Sequence, residues 1–218
     1  MLTLYITRHG QTEWNVQSRM QGWADSPLTA TGVSAAIQLG KRLQDVPLHA
    51  VYSSTSGRAI DTAQLIIGER HIPLIQKEDL REINVGEWQG MLSSEIERAF
   101  ADQVKTYYEL PSQFESTSGE NFHILKERVL RTVEEISTAH PAGHVLIVTH
   151  GVVKKCLINH FSGAQLDSLW DPPFIHGTSL TMMEIDNESQ KLTMIGDMSH
   201  AEEAKKPTKA QEHSLKCL

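Results

Sequence analysis

Cysteine, positive charge and long apolar runs are all scarce in this chain of 218 residues, and each shortage excludes a class of protein. Only two cysteines occur, Cys156 within an apolar helical pattern and Cys217 near the last residue, so neither a disulfide framework nor a cysteine-based metal site is predicted. Lysine and arginine total 20 against 27 acidic residues. The resulting formal charge of −7 argues against a general nucleic-acid or anionic-membrane binder, although it leaves a local basic pocket open.

Signals that direct a chain to or through a membrane are equally scarce. No apolar run approaches the length of a bilayer span, and the first six residues are too short and uncharged for a signal peptide. We therefore expect a cytoplasmic protein with no membrane or nucleic-acid partner. Hydrophobic residues make up 39% and charged residues 22%, which is typical of a globular domain rather than a disordered chain.

Strand-like and helix-like segments alternate along the chain. Residues 2–7, 50–53 and 145–148 are short β-rich or apolar runs, and helical periodicity follows each of them. Residues 181–185 and 192–195 flank a polar turn and predict a hairpin. The alternation predicts an α/β fold, a three-layer sandwich with a mostly parallel central sheet and helices on both faces.

The helix expected after residue 150 has a clear apolar stripe. Cys156 belongs to this stripe and is expected in the core. Lys154 and Lys155 lie off the stripe and are expected to face outward.

Three predicted strands end in residues suited to a ligand. In open parallel sheets, ligands bind beyond the carboxyl ends of the strands. Two strands end in His-Gly, at His9 and His150, and a third ends in a small polar loop that leads to Arg58. Glycine lets the backbone turn sharply, and the helices that follow point their positive N-termini at the rim. We therefore expect an anion site at this rim.

The arginines favour a phosphate as that anion. The planar guanidinium of Arg8 or Arg58 matches phosphate oxygens, whereas the alternative for Arg58 is a surface salt bridge with Asp61 or Glu69. A single histidine at a strand end is more often structural than catalytic, but two His-Gly pairs make that explanation less convincing.

A phosphate held in this way suggests a transfer reaction. A neutral imidazole can attack the neutralised phosphorus in line and form a phosphohistidine. The residues alone leave open which histidine does so. The leaving alkoxide needs a proton, and Glu82, Glu87 and Glu13 are equivalent candidates for the general acid at this point.

The octet Arg8-His9-Gly10-Gln11-Thr12-Glu13-Trp14-Asn15 resembles the signature of the histidine phosphatase superfamily, in the branch that contains cofactor-dependent phosphoglycerate mutases. Further segments resemble the same family in the same order, at 21–23, 26–29, 53–63, 80–90, 119–120 and 145–151. Together they cover nearly the whole chain up to about residue 200. The resemblance implies one phosphoglycerate mutase-like domain at 1–199, with an insertion or lid at about 89–119, and a polar tail at 200–218.

The resemblance also implies roles for individual residues. His9 matches the phosphorylated nucleophile and Glu82 the proton donor. The residues that match the phosphate pocket are Arg8, Asn15, Gln21, Gly22, Arg58, His150 and Gly151, with His150 also stabilising the transferring group. No metal ion and no cofactor are implied.

The resemblance leaves phosphatase and mutase activity to be separated. Mutases of this superfamily carry Asn-Ser after the second His-Gly, where this chain has Val152-Val153, and they have paired arginines in an inserted segment. The segment 89–119 instead offers apolar and aromatic residues, at Tyr107, Tyr108, Leu110 and Phe114. These either cover the site or pack the segment onto the core. We favour a phosphomonoesterase of broad or moderate specificity for small phosphorylated metabolites.

The stretches 169–174 and 176–179 resemble PhoE-type broad-specificity phosphatases, and on this basis Thr178 or Ser179 is expected near the pocket mouth. Three alternatives stay open: a cofactor-dependent phosphoglycerate mutase, a phosphatase dedicated to one metabolite such as α-ribazole phosphate, and a non-catalytic phosphate-binding module. The sequence also leaves open a homodimer.

Overall fold

A six-stranded sheet forms the centre of the computed structural model, which describes residues 1–186 and 189–201. The strands are β1 (Leu2–Arg8), β2 (Leu48–Ser54), β3 (Leu74–Lys77), β4 (Gly143–Thr149), β5 (Leu180–Ile185) and β6 (Gln190–Asp197). Their order is β3-β2-β4-β1-β5-β6. The first four are parallel, and β5 and β6 are antiparallel at one edge. The predicted mostly parallel sheet and the hairpin are confirmed.

Helices cover both faces of this sheet. They are α1 (Glu13–Gln17), α2 (Ala30–Arg42), α3 (Gly57–Ile67), α4 (Ser93–Ala99), α5 (Ala101–Glu109), α6 (Phe122–Ala139) and α7 (Gly151–Phe161). The apolar faces of α2 and α3 pack on one side of the sheet, and those of α6 and α7 pack on the other. The predicted three-layer sandwich is therefore confirmed. No helix among the described residues is both long and apolar enough to cross a bilayer.

The central strand β4 shows why the core has two halves. Successive side chains of a strand point to opposite faces. Val145 and Ile147 accordingly join the core under α6 and α7, whereas Leu146 and Val148 join the core under α2 and α3. A strand buried on both faces has to be apolar without interruption, as this one is.

The register of β1 with β4 positions the rim. Arg8 pairs with Thr149 in this parallel ladder. His9 and His150 follow the paired residues directly, and the His9 amide donates to the Thr149 carbonyl over 2.9 Å. The two His-Gly sequences therefore lie side by side at the carboxyl end of the sheet.

The insertion contains α4, α5 and a short 3₁₀ helix (Pro111–Gln113). Tyr107 and Phe114 are buried, and their ring centroids lie 5.0 Å apart in a cluster with Trp88, Phe122 and Trp170. Of the two explanations offered for these aromatics, packing onto the core therefore accounts for Tyr107 and Phe114.

The outward orientation expected for Lys154 and Lys155 is wrong. Their side chains are only 1% and 8% exposed, and both lie under the segment that leads from α7 to β5. The Nζ of Lys155 donates to the Asp171 carbonyl of this segment. Helical periodicity cannot predict a covering loop, because the loop comes later in the chain. Cys156 lies in the core as expected, and burial raises the pKa of its thiol to about 12.

The packed part of the chain continues slightly past the expected domain boundary at residue 199. His200 lies 3.1 Å from the Thr178 hydroxyl, and Ala201 packs with Ala35 and Met198. The remainder of the predicted tail, 202–218, lies outside the described residues.

Candidate active site

The two rim histidines form the centre of the site. Their ring centroids lie 5.2 Å apart with the planes at 62°, and His9 and His150 are 2% and 0% exposed. This edge-to-face contact confirms the geometric expectation that parallel strands ending in His-Gly bring the two side chains together.

Hydrogen bonds give the two imidazoles opposite tautomers. The Nδ1 of His9 lies 2.7 Å from the Gly10 carbonyl oxygen, which can only accept, so Nδ1 carries the proton and Nε2 keeps its lone pair. At His150, Nδ1 accepts from Arg58 over 3.1 Å, and Nε2 donates to the Ser54 hydroxyl over 2.8 Å. Both ring nitrogens of His150 are therefore engaged, whereas His9 retains a nucleophilic nitrogen.

The surroundings also keep both histidines neutral. Burial, together with the positive charges of Arg58 and Arg8, lowers the pKa of His9 well below its usual range. Burial and the charge of Arg58 act in the same direction on the pKa of His150. A neutral imidazole is the form that can attack phosphorus.

Backbone carbonyl oxygens hold the guanidinium of Arg58 in place. It is fully buried near the start of α3, and its guanidinium donates to the Ala24 carbonyl over 2.7 Å and to the Gly22 carbonyl over 2.9 Å. The ion pair of this arginine is with Asp25, at 2.9 Å. The alternative partners Asp61, on α3, and Glu69, just after it, do not pair with Arg58 among the described contacts.

Arg8 is the last residue of β1, and its guanidinium extends to the same rim. Its Nη1 donates to the Ile175 carbonyl over 2.7 Å, and a Cβ added to Gly151 would lie 3.5 Å from its guanidinium carbon. The Nε atoms of Arg8 and Arg58 are both buried and have no hydrogen-bond partner among the described residues. Buried donors without partners are costly, and the two cations repel each other. An oxyanion between them would relieve both penalties.

Glu82 is separated from the other glutamates by its position. Its carboxylate accepts the Val152 amide over 3.1 Å at the N-terminus of α7, and the Ile83 amide over 3.0 Å. Glu13 is exposed on α1, and Glu87 accepts from a threonine hydroxyl on the surface. Of the three candidates, geometry therefore selects Glu82 as the carboxylate beside His150.

Helix α1 and the loop after it contain the predicted pocket residues Asn15, Gln21 and Gly22. The Oδ1 of Asn15 accepts the amide and hydroxyl of Thr12, both over 3.0 Å, so this oxygen caps α1. Gln21 is buried, with its Oε1 unpartnered in the described structure. Gly22 has φ +53°, and an added Cβ would lie 2.7 Å from a Val85 methyl. Only glycine fits there without strain.

The sequence did not predict that the hydroxyls of Ser54 and Thr62 belong to the site, and the position expected for Thr178 or Ser179 is wrong. Ser54 accepts from His150, and Thr62 accepts the Gly10 amide over 3.0 Å. Thr62 lies one helical turn after Arg58, and this spacing alone could have placed it on the same face of the helix, next to the site. Thr178 and Ser179 do not lie at the mouth: both are 0% exposed behind Arg8, where the Thr178 amide donates to the Arg8 carbonyl.

Among the described residues, no three His, Cys, Asp or Glu side chains cluster as a metal site.

Comparisons with known proteins agree with this geometry. Residues 4–198 match the model of the histidine phosphatase superfamily, branch 1. The chain is 30% identical to the uncharacterized phosphatase PhoE of Bacillus subtilis over 163 residues, and this alignment covers 75% of the chain and 79% of that protein. It is 29% identical over 170 residues to phosphoserine phosphatase 1 of Hydrogenobacter thermophilus, covering 78% and 81%.

Solved structures give the same result. Bacillus stearothermophilus YhfR superposes with a TM-score of 0.91 at 46% identity, covering 92% of this chain and 100% of that one. A phosphoglycerate mutase from Bacillus anthracis superposes with a TM-score of 0.80 at 29% identity, covering 94% and 97%. The chain belongs to the histidine phosphatase superfamily, whose phosphatases use a histidine nucleophile. The predicted resemblance, the phosphoglycerate mutase-like fold and the assignment to this enzyme class are confirmed.

Proposed function

We propose that this enzyme hydrolyses phosphomonoesters of small metabolites through a phosphohistidine on His9, without a metal ion and with broad or moderate specificity. One observation carries the proposal. A neutral His9 with a free Nε2 lies beside the partly buried Arg8 and the buried Arg58, and the buried Nε–H groups of these two arginines have no described partner. This arrangement offers a nucleophile and an oxyanion cradle together.

In the first step, the substrate phosphate lies between the two guanidinium groups. The lone pair of His9 Nε2 attacks phosphorus, the bond from phosphorus to the ester oxygen breaks, and Glu82 donates a proton to the leaving alkoxide. Arg8 and Arg58 stabilise the charge on the transferring phosphoryl oxygens. The role that the resemblance gives to His150, stabilising the same oxygens, requires its Nε2–H to turn from the Ser54 hydroxyl to the phosphoryl group. Preorganised charged donors in a site that excludes water supply most of such catalysis.

In the second step, the roles reverse. Glu82, now a carboxylate, takes a proton from water, and the resulting hydroxide attacks phosphorus and breaks the bond to Nε2. Inorganic phosphate leaves, and His9 returns to its neutral tautomer. The arginines and the N-terminus of α7 supply the positive charge that a metal ion supplies in other phosphatases.

The proposal favours hydrolysis over mutase activity. A mutase must retain a bisphosphate while it reorients, and it needs polar groups to hold the far end. Directly after His150-Gly151, at the start of α7, the chain has Val152, whose amide already donates to Glu82. Insertion residues Tyr107 and Phe114 are packed into the aromatic cluster. The side chain of Val152 offers no polar contact to a leaving group, and a site with few such contacts discriminates weakly between leaving groups, which supports a broad substrate range.

A substrate panel tests this proposal. Phosphate release is measured with EDTA present from p-nitrophenyl phosphate, 3-phosphoglycerate, sugar phosphates and nucleotides, with His9→Ala as the control. We expect release from several of these, and none by the variant. Release from one compound alone would indicate a dedicated phosphatase. Phosphoryl exchange from a bisphosphate, without release from any monophosphate, would indicate a mutase. Phosphate binding without either reaction would indicate a binding module.

The cytoplasmic location stays a prediction, and the homodimer that the sequence leaves open stays open.

A further inference from the structure

Lys154 is a buried amine that the proposed mechanism does not use. It lies one turn into α7, and its amide donates to the carbonyl of His150 over 3.1 Å. The side chain is buried, and among the described contacts it has no carboxylate partner. Burying an amine among neutral groups costs stability, and departures of this kind from the rules of folding are expected at functional or strained sites.

The ammonium end reaches the segment before β5. Nζ lies 2.5 Å from the Ser179 carbonyl oxygen and 3.1 Å from the Ser179 hydroxyl oxygen. The same hydroxyl donates to the His176 carbonyl over 2.8 Å, which closes the turn. Lys154 therefore fixes the end of a short loop, 175–179, to the helix that begins at His150.

Other residues of loop 175–179 contact the rim of the proposed phosphate pocket. Its Ile175 carbonyl accepts Arg8 Nη1 over 2.7 Å, and its Thr178 amide donates to the Arg8 carbonyl over 3.0 Å. Gly177 lies so close to the rim that an added Cβ would be 3.2 Å from the His9 carbonyl oxygen. The loop therefore supports the backbone of Arg8 and His9 and also orients the Arg8 guanidinium.

The loop needs an external support because its own backbone is unfavourable. Thr178 has φ +59°, a left-handed conformation that β-branched residues rarely adopt. Strained conformations persist only where surrounding contacts impose them. Burial, with the neighbouring charge of Arg8, lowers the pKa of Lys154 well below its usual range.

We infer that Lys154 is a positioning residue for phosphate binding: it ties loop 175–179 to α7 and thereby aims Arg8 at the phosphate. The inference deepens the proposed function and rests on it. Lys154 itself does not touch the reacting atoms. Its contribution passes through Arg8.

The test compares Lys154→Met with Lys155→Met in the full chain. Both lysines are buried on α7, but Lys155 bonds to the Asp171 carbonyl, outside loop 175–179. Affinity for inorganic phosphate is measured by calorimetry, and kcat/KM with p-nitrophenyl phosphate. We expect Lys154→Met to lose about tenfold or more in both quantities, since small displacements of a positioned group have effects of this size. Lys155→Met is expected to stay within about twofold.

A double-mutant cycle separates positioning from general stability. In an Arg8→Ala background, Lys154→Met should add less than about twofold, because the residue through which it acts is gone. Equal effects in both backgrounds would overturn the inference, as would unchanged phosphate affinity in a folded Lys154→Met. If that variant does not fold, Ser179→Ala removes one acceptor and should show a smaller loss with the same dependence on Arg8. Absence of phosphate binding by the unmodified chain would instead contradict the proposed function.

Discussion

Replacing Glu82 by glutamine tests the acid in a way that depends on the leaving group. The carboxylate oxygens of Glu82 accept two backbone amides, from Ile83 and Val152. Glutamine keeps one acceptor oxygen, so the variant loses about one hydrogen bond to a charged group, about 1.5–3 kcal/mol of stability. It should therefore fold, and its activity should report on proton transfer.

The size of the effect follows from the chemistry of the leaving group. General acid catalysis contributes about 10²–10⁴-fold to a reaction that needs it. An alkyl alcohol leaves as a strongly basic alkoxide and needs the proton, whereas nitrophenolate is stable without it. We therefore expect kcat/KM of Glu82→Gln to fall by about 10²-fold or more with glycerol phosphate, and by about tenfold or less with p-nitrophenyl phosphate.

The assay is a steady-state comparison of the two substrates, with Glu87→Gln as the matched control. Glu87 belongs to the same loop and accepts from the Thr117 hydroxyl on the surface. The control should behave like the unmodified chain with both substrates. An equal fall with both substrates in Glu82→Gln would refute the role of Glu82 as the acid, and a leaving-group-dependent fall in Glu87→Gln would transfer that role to Glu87.

Burial and backbone geometry support three further predictions. His9 acts in its neutral form and its pKa is lowered, so kcat/KM should be maintained as the pH falls through about 6.5 and should decline only below that value. Because the unfolded chain takes up protons near that pH whereas buried His9 and His150 do not, the free energy of unfolding should decrease as the pH falls below about 6.5. A Gly22→Ala variant, with φ +53° and a methyl group 2.7 Å from the new Cβ, should lose more stability than Gly163→Ala, which has φ +68° and open space. The left-handed backbone alone costs about 1–2 kcal/mol, so equal melting temperatures would show that the contact at Gly22 is unimportant.

Much of the rim could be predicted because its signals are local. The uninterrupted apolar run of β4 and the two His-Gly pairs are properties of neighbouring residues, and parallel strands have to end at the same edge. The position of His9 beside His150 follows from these facts alone. The choice of His9 over His150 as the nucleophile did not follow from them; it came from the resemblance, and the hydrogen bonds of the structure now support it.

The features that escaped prediction depend on distant parts of the chain. Asp25 pairs with Arg58 across 33 positions, and the loop that buries Lys154 belongs to a later segment. The edge strand β3 was not predicted either. Its side chains are half-buried or exposed, so it lacks the apolar run that marks the central strands.

The most direct test of the account is to identify the phosphorylated residue. The enzyme is mixed with a labelled phosphomonoester, quenched within one turnover, and analysed by mass spectrometry under alkaline conditions that preserve phosphohistidine. The account predicts a transient, acid-labile phosphoryl group on His9, absent from His9→Ala. A phosphoryl group on His150 or on a hydroxyl, or full turnover by His9→Ala, would contradict it.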